Sequence, residues 1–401
     1  MSSPSASRLA TAAPRVGNRR LMIGLCAVAV FLYWASLYLY MPTLSTYVES
    51  KSNNLAVVGT VLAQYGLWQA IIRLPLGIVS DWVGRRKPFI IGGFVLAALG
   101  AWLMATTNQV NGLLIGRAIT GLAAGTWVPL VVLFSSLFPP EEAVRASALL
   151  TLVGSVGRML ATGVTGSLNE LGGYSLAFFL AIAAAGLAIL VILPSKEQLR
   201  PPKRPSMKSL ATLISRRDVL LPALLSAVAQ YANWATTFGF IPNLAERLGA
   251  NDVTQSLLMS LNIGFLTVGN LMATAIVNRL GARRMVYLAF VVVAVGVGGA
   301  ALATSLPMLF AAQFCIGISM GVGSPVLMGM SIRHVDESER TSAMGLHQSV
   351  YAIGMFAGPA LSGLLADMIG IRPMFGVTAA ACLIIGLLVT RWLEPEARQA
   401  S

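Results

Sequence analysis

Apolar runs of about 20 residues recur along the whole chain, each long enough to cross a hydrocarbon core of about 30 Å as a helix. There are twelve, over residues 21–45, 55–80, 88–107, 111–135, 144–167, 172–193, 219–245, 254–277, 284–305, 307–331, 341–366 and 372–392. In a bilayer every backbone N–H and C=O must be satisfied within the protein, so runs of this length have to be helices. The pattern predicts an all-α membrane protein. Composition agrees, with 56% apolar and 11% charged residues, against about 25% charged in a soluble domain.

Twelve crossings place both termini on one side. A formal charge of +13 would suggest nucleic acid in a soluble protein, but its distribution argues otherwise. Of the 28 Lys and Arg, 22 fall in the termini and alternate loops of that side, while only Lys51, Arg247 and Arg372 lie opposite. Such a bias orients membrane proteins. It predicts cytoplasmic termini in the cell membrane, contact with membrane lipids and no nucleic-acid partner. Cys26, Cys315 and Cys382 sit in separate apolar runs and offer neither disulfide nor metal-ligand spacing. The first run follows Arg19 and Arg20 but is too long for a signal peptide, and Tyr33, Trp34, Tyr38 and Tyr40 in its second half mark a retained helix.

A polar segment rich in Pro, Lys and Arg divides the runs six and six. The expected layout is an N-terminal tail (1–20), a six-helix bundle (21–193), a cytoplasmic linker (194–218), a second bundle (219–392) and a C-terminal tail (393–401). The halves match at a slowly drifting offset, as expected of a duplicated chain. Trp34, Pro42 and Leu44 match Trp234, Pro242 and Leu244 at 200. VGRRK (83–87) matches LGARR (280–284) at 197; Gly121, Gly125 and Pro129 match Gly317, Gly321 and Pro325 at 196; RASA (145–148) matches RTSA (340–343) at 195.

The loop after the second run carries Gly77, Asp81, Gly84, Arg85 and Arg86, and the fourth run reads GRAITGLAAG (116–125) with Arg117 four residues before Gly121. With these motifs, over nearly its whole length, the chain resembles the major facilitator superfamily. The basic residue that usually follows the Asp is replaced by Trp82. The resemblance implies two pseudo-symmetric six-helix bundles that rock around a central cavity, with Asp81 and its neighbours as a conformational gate. A carboxylate at that position accepts from a neighbouring helix N-terminus and pairs with arginines, holding the bundles together on the cytoplasmic side. Gly77 and Gly84 would allow close helix approach and a tight turn.

Charges inside a membrane are costly and mark function. Those inside the runs are Arg73, Arg117 and Arg158, and no Asp or Glu accompanies them at depth. A buried Arg without a carboxylate needs backbone carbonyls, water or a substrate anion, which points to an anionic group on a small-molecule substrate. Arg117 and Arg158 read as cavity residues, and Arg73 as one that snorkels toward the cytoplasmic surface. Runs one and seven, lining the cavity in the fold the resemblance implies, supply Tyr33, Trp34, Tyr38, Gln230, Tyr231, Asn233 and Trp234, suited to an amphipathic ligand. Gln313, aligned with Arg117, and His347, Gln348 and Tyr351 are secondary candidates. His347 or the outer Asp367 are candidates for a coupling proton, with uniport or exchange of a counter-anion as alternatives.

The expected activity is secondary transport of a small organic solute, anionic or amphipathic, by one chain working as a monomer without a cofactor. Proton-coupled drug export is the alternative. GSVGRMLATG (154–163) lacks the Gly-Pro of family exporters in the fifth helix, although GMFAGPALSG (354–363) has one in the eleventh. A lipid or glycolipid flippase and a transport-dead sensor use the same fold. An ATP-driven pump lacks its phosphate loop here, and an enzyme would need catalytic carboxylates or histidines at depth.

Overall fold

The computed structural model describes residues 16–195, 197, 212–336 and 339–393, so both expected tails and most of the expected linker lie outside the described residues. Among the described residues there is no strand. Ten stretches are long and apolar enough to cross a membrane by length and composition. One of them holds two crossings, because the helix Ala143–Ile192 leaves helical geometry at Gly172 and Gly173. Gly173 has φ +68, a left-handed conformation that costs other residues about 1–2 kcal/mol, so glycine turns the chain there without a loop. The seventh crossing falls outside the ten because it is polar and interrupted. It runs through Arg217–Ala235, a π-helical turn Thr236–Phe240 and Ile241–Arg247. With these the crossings, called spans 1 to 12 below, number twelve and form two bundles of six.

Proline sets the interruptions, since it lacks an N–H and crowds the carbonyl four residues earlier. In span 1, Val16–Tyr38 ends just before Pro42, which opens Met41–Ser52. In span 4, Val110–Gly125 ends just before Pro129 of Trp127–Ser135. In span 7 the π turn precedes Pro242. Spans 1 and 7 thus break at places 200 residues apart. Pro325, the match of Pro129, sits inside the unbroken Leu306–Ile332.

The duplication is visible in packing. A Cβ on Gly121 would lie 2.9 Å from Tyr65 O, and one on Gly317 2.6 Å from Asn262 O. At the basic end, Arg19 donates to Leu137 O at 2.8 Å and to Glu142 at 2.8 Å. Arg216 repeats this bracket on His334 O at 2.8 Å and Asp218 at 2.6 Å.

The bundles join toward the opposite, acidic end. Glu49 accepts from Asn243 at 2.6 Å and Arg247 at 2.9 Å. Asn169, held on Thr43, donates to Asp252 at 2.8 Å; Thr46 donates to Gln255 at 3.2 Å; Asn251 donates to Glu170 at 3.3 Å. The Leu55 N–H at the start of span 2 donates to Asp367 at 3.3 Å. Backbones also touch here, because a Cβ on Gly59 would lie 2.7 Å from Gly363 Cα and one on Gly166 2.4 Å from Val253 Cα. Among the described residues, the inter-bundle hydrogen bond nearest the basic end is Arg73 to Tyr351, about 15 Å in at 1.5 Å per residue.

Candidate substrate site

At the midplane the bundles meet through aromatic rings. Tyr65 of span 2 stacks with Trp234 of span 7, centroids 5.2 Å apart. Tyr38 of span 1 meets Phe238 of span 7 edge-on at 5.9 Å. Trp34 extends the layer through Tyr38 at 5.6 Å and Trp127 at 5.0 Å. All except Trp127 are buried. The sequence reading missed Phe238, Tyr65 and Trp127. Phe238 lies at the repeat offset of 200 from Tyr38 and was findable, whereas Tyr65 and Trp127 carry no such signal.

Each intramembrane arginine lies on a ring. The Cζ of Arg117 is 4.1 Å from the centroid of Tyr65. That of Arg158 is 4.7 Å from Trp34 and 5.9 Å from Tyr38, and that of Arg73 is 5.2 Å from Tyr351. Such contacts contribute about 2 kcal/mol when desolvated, while taking a guanidinium out of water costs several. The rings offset only part of that cost. Arg117 is 0% exposed, and none of its three nitrogens has a hydrogen-bond partner; the Tyr40 hydroxyl facing it is also unpartnered. Arg158, half-buried, donates to Gly154 O at 3.3 Å and Ser155 Oγ at 3.2 Å. Arg73 does not run to the basic surface. It donates to the Tyr351 hydroxyl of the other bundle, because that ring offers both an acceptor and a face within reach.

The other expected cavity residues divide. Tyr33 turns into its own bundle, donating to Ala124 O at 2.9 Å and packing on Phe94 and Trp127. Gln313 turns into the other, accepting from Thr237 at 2.8 Å and Asn262 at 3.0 Å. Gln230 and Tyr231 are partly exposed. Gln230, Gln348 and the buried Asn233 each keep an unpartnered carboxamide oxygen. His347 is buried with its Nδ1 2.6 Å from Ser331 Oγ, which itself donates to Val219 O at 3.1 Å.

At the expected gate, the Asp81 side chain lies outside the described residues. Gly84 caps span 2 with φ +70, a turn that favours glycine. At Gly77 a Cβ would meet Val128 at an ordinary 3.8 Å, so packing there does not demand glycine. Arg85 is exposed. Glu197, just beyond span 6, accepts from the Arg86 N–H and from the Lys87 N–H at 3.1 Å. The Lys87 Nζ donates back to Leu193 O and to Ser195 O at 2.8 Å. An acid thus caps the start of span 3 and a base the end of span 6, each matched to its helix dipole. This clasp lies within the N-terminal half, which the sequence reading did not anticipate.

The family model described as Major Facilitator Superfamily matches residues 26–229 and 223–401. The uncharacterized MFS-type transporter MJ1560 of Methanocaldococcus jannaschii is 22% identical over 386 residues, 90% of this chain and 96% of that protein. The inner membrane transport protein YajR of Escherichia coli (strain K12) is 29% identical over 181 residues, 44% of this chain and 38% of the relative's length. Among solved structures, the human organic anion transporter MFSD10 (TETRAN) superposes with a TM-score of 0.70 at 16% identity, covering 92% of this chain and 99% of that one.

Proposed function

The chain belongs to the major facilitator superfamily, and from that premise we propose that it is a secondary transporter of a small organic solute, working by alternating access between the two bundles. The observation that carries this reading is the placement of the inter-bundle bonds. From Asp367 and Glu49 down to Arg73 they occupy the acidic end and the midplane, and among the described residues none lies nearer the basic end. These latches and the aromatic layer are the contacts that an exchange between two arrangements of the bundles has to break and remake. Exchange breaks the polar latches at the acidic end, with Asp81 as the gate at the basic end.

Spin labels test the exchange. Pairs at 145 and 340, at the basic end, and at 51 and 372, at the acidic end, are exposed and lie on different bundles. In protein reconstituted into sealed vesicles that carry solute flux, turnover moves the two distances in opposite senses. Distances that change together, or flux with neither changing, would overturn rocking of the bundles.

A further inference from the structure

Arg158 stands apart from the other two arginines. Arg117 is enclosed at 0% exposure and Arg73, 5% exposed, is spent on Tyr351; Arg158 alone is half-open. Its guanidinium is fixed in plane by the Trp34 ring at 4.7 Å and along two nitrogens by Gly154 O and Ser155 Oγ. Both oxygens are neutral, so the charge has no counter-ion among the described residues. Beside it lies a second unmatched donor. Trp34 is 9% exposed and its indole Nε1 has no partner, although buried indole N–H groups ordinarily find one. A Cβ on Gly154 would stand 2.8 Å from that Nε1, so the indole N–H and the guanidinium converge on one residue of span 5. With no side chain on Gly154, the indole packs directly on the span 5 backbone beside the guanidinium.

We propose that Arg158 and the Trp34 indole N–H form the anion seat of the transported solute, and that the solute is a small aromatic monocarboxylate. This rests on the transporter reading above. A carboxylate matches the guanidinium edge geometrically and takes the indole N–H as a further donor. One negative charge suffices, since a single half-open arginine receives it. The remainder of the solute is flat and aromatic, because Trp34 is itself surrounded by Tyr33, Tyr38 and Trp127, at 5.2, 5.6 and 5.0 Å. Toward the other bundle the solute meets the unpaired carboxamides of Gln230 and Gln348, which accept from or donate to a ring substituent.

Binding to the purified full-length protein tests the class, with four probes: 4-hydroxybenzoate, 4-hydroxybenzyl alcohol without the charge, cyclohexanecarboxylate without the aromatic ring, and 4-hydroxybenzylamine with the opposite charge. The acid should bind at least about ten-fold more tightly than each of the others, the size of one charge-assisted contact. Arg158→Gln should remove that preference and Arg158→Lys restore part of it. Trp34→Phe, which keeps a ring and loses the donor, should weaken the acid about five-fold, while Gly154→Ala should do so by displacing the indole that its Cβ would meet. Unliganded melting temperatures separate these effects from misfolding. Equal affinity for acid and alcohol, tighter binding of the amine, no binding of the acid, or wild-type affinity in Arg158→Gln would each overturn the proposal. Flux in vesicles separates it from the transporter reading: acid bound but never carried defeats transport and leaves the seat, while a carried neutral analogue does the reverse.

Discussion

The two bundles share a frame and differ in the chemistry they place at the midplane. Gly121 packs on Tyr65 O as Gly317 packs on Asn262 O, which pairs Arg117 with Gln313 four residues upstream. Gly157 packs on Phe31 O as Gly358 packs on Tyr231 O, at the offset of 200 in spans 1 and 7, which pairs Arg158 with Pro359. At the offset of 197 Arg73 pairs with Asn270. Three cations on the N-terminal wall thus correspond to neutral residues, two carboxamides and a proline, at equivalent places on the C-terminal wall. The C-terminal set is neutral, and Gln313 accepts from Thr237 and Asn262 while its own carboxamide nitrogen has no partner. The N-terminal set is charged, with all three nitrogens of Arg117 unpartnered. A duplicated chain that keeps its charges at depth on one copy alone has let its walls diverge, and on the reading proposed above the charged wall is the one that meets the solute.

The most disruptive way to break the comparison is to charge the neutral wall. Gln313→Arg buries a cation among Thr237, Asn262 and backbone with no acid nearby, and an unpaired buried charge costs about 3–5 kcal/mol. The expected result is a melting temperature lowered by several degrees or failure to accumulate in the membrane. Wild-type stability would show that this wall tolerates charge and that the asymmetry carries no meaning.

The converse substitution should lose function without losing the fold. Arg117→Gln writes the C-terminal chemistry into the N-terminal wall, relieving an uncompensated charge while keeping a polar side chain against Tyr65. Solute flux should fall by at least about ten-fold, equivalent to about 1.4 kcal/mol, with an unchanged or higher melting temperature. A lower melting temperature with normal flux would reassign Arg117 to helix packing.

How much of this the sequence could reveal follows the range of the forces involved. The apolar spans and the duplication were legible because burial in lipid acts on every residue of a run. The arginines were legible as anomalies, since a charge at depth is conspicuous whatever it touches. Their partners were not: Tyr65 and Trp127 are ordinary membrane-helix residues until packing sets them against Arg117 and Trp34. Nor could the sequence separate Tyr33, whose hydroxyl is spent on Ala124 O, from Trp34 one position on, whose N–H is left open. Helical neighbours point about 100° apart, and only the packed bundle decides which faces the other half. The bracket of Arg19 and Arg216 escaped for a similar reason, because what repeats is a bond to a backbone carbonyl.

Those brackets supply the smallest test. They are the same device with different acids, Glu142 for Arg19 and Asp218 for Arg216, and the arginine and acid side chains are between 22% and 33% exposed. The hydrogen bond from Arg216, opposed in part by burial, holds the Asp218 carboxyl below the usual carboxylate range. A depressed acid stabilises the fold above its unfolded value, near pH 4, and loses that contribution as pH falls through the folded one. Exposed pairs of this kind are worth under about 1 kcal/mol. Asp218→Asn should therefore lower the melting temperature by about 1 °C at pH 7, and the difference from wild type should shrink as pH drops below about 4. A difference that persists undiminished well below pH 4 would mean that the Asp218 bracket holds by shape and not by charge, leaving the midplane as the place where charge separates the halves.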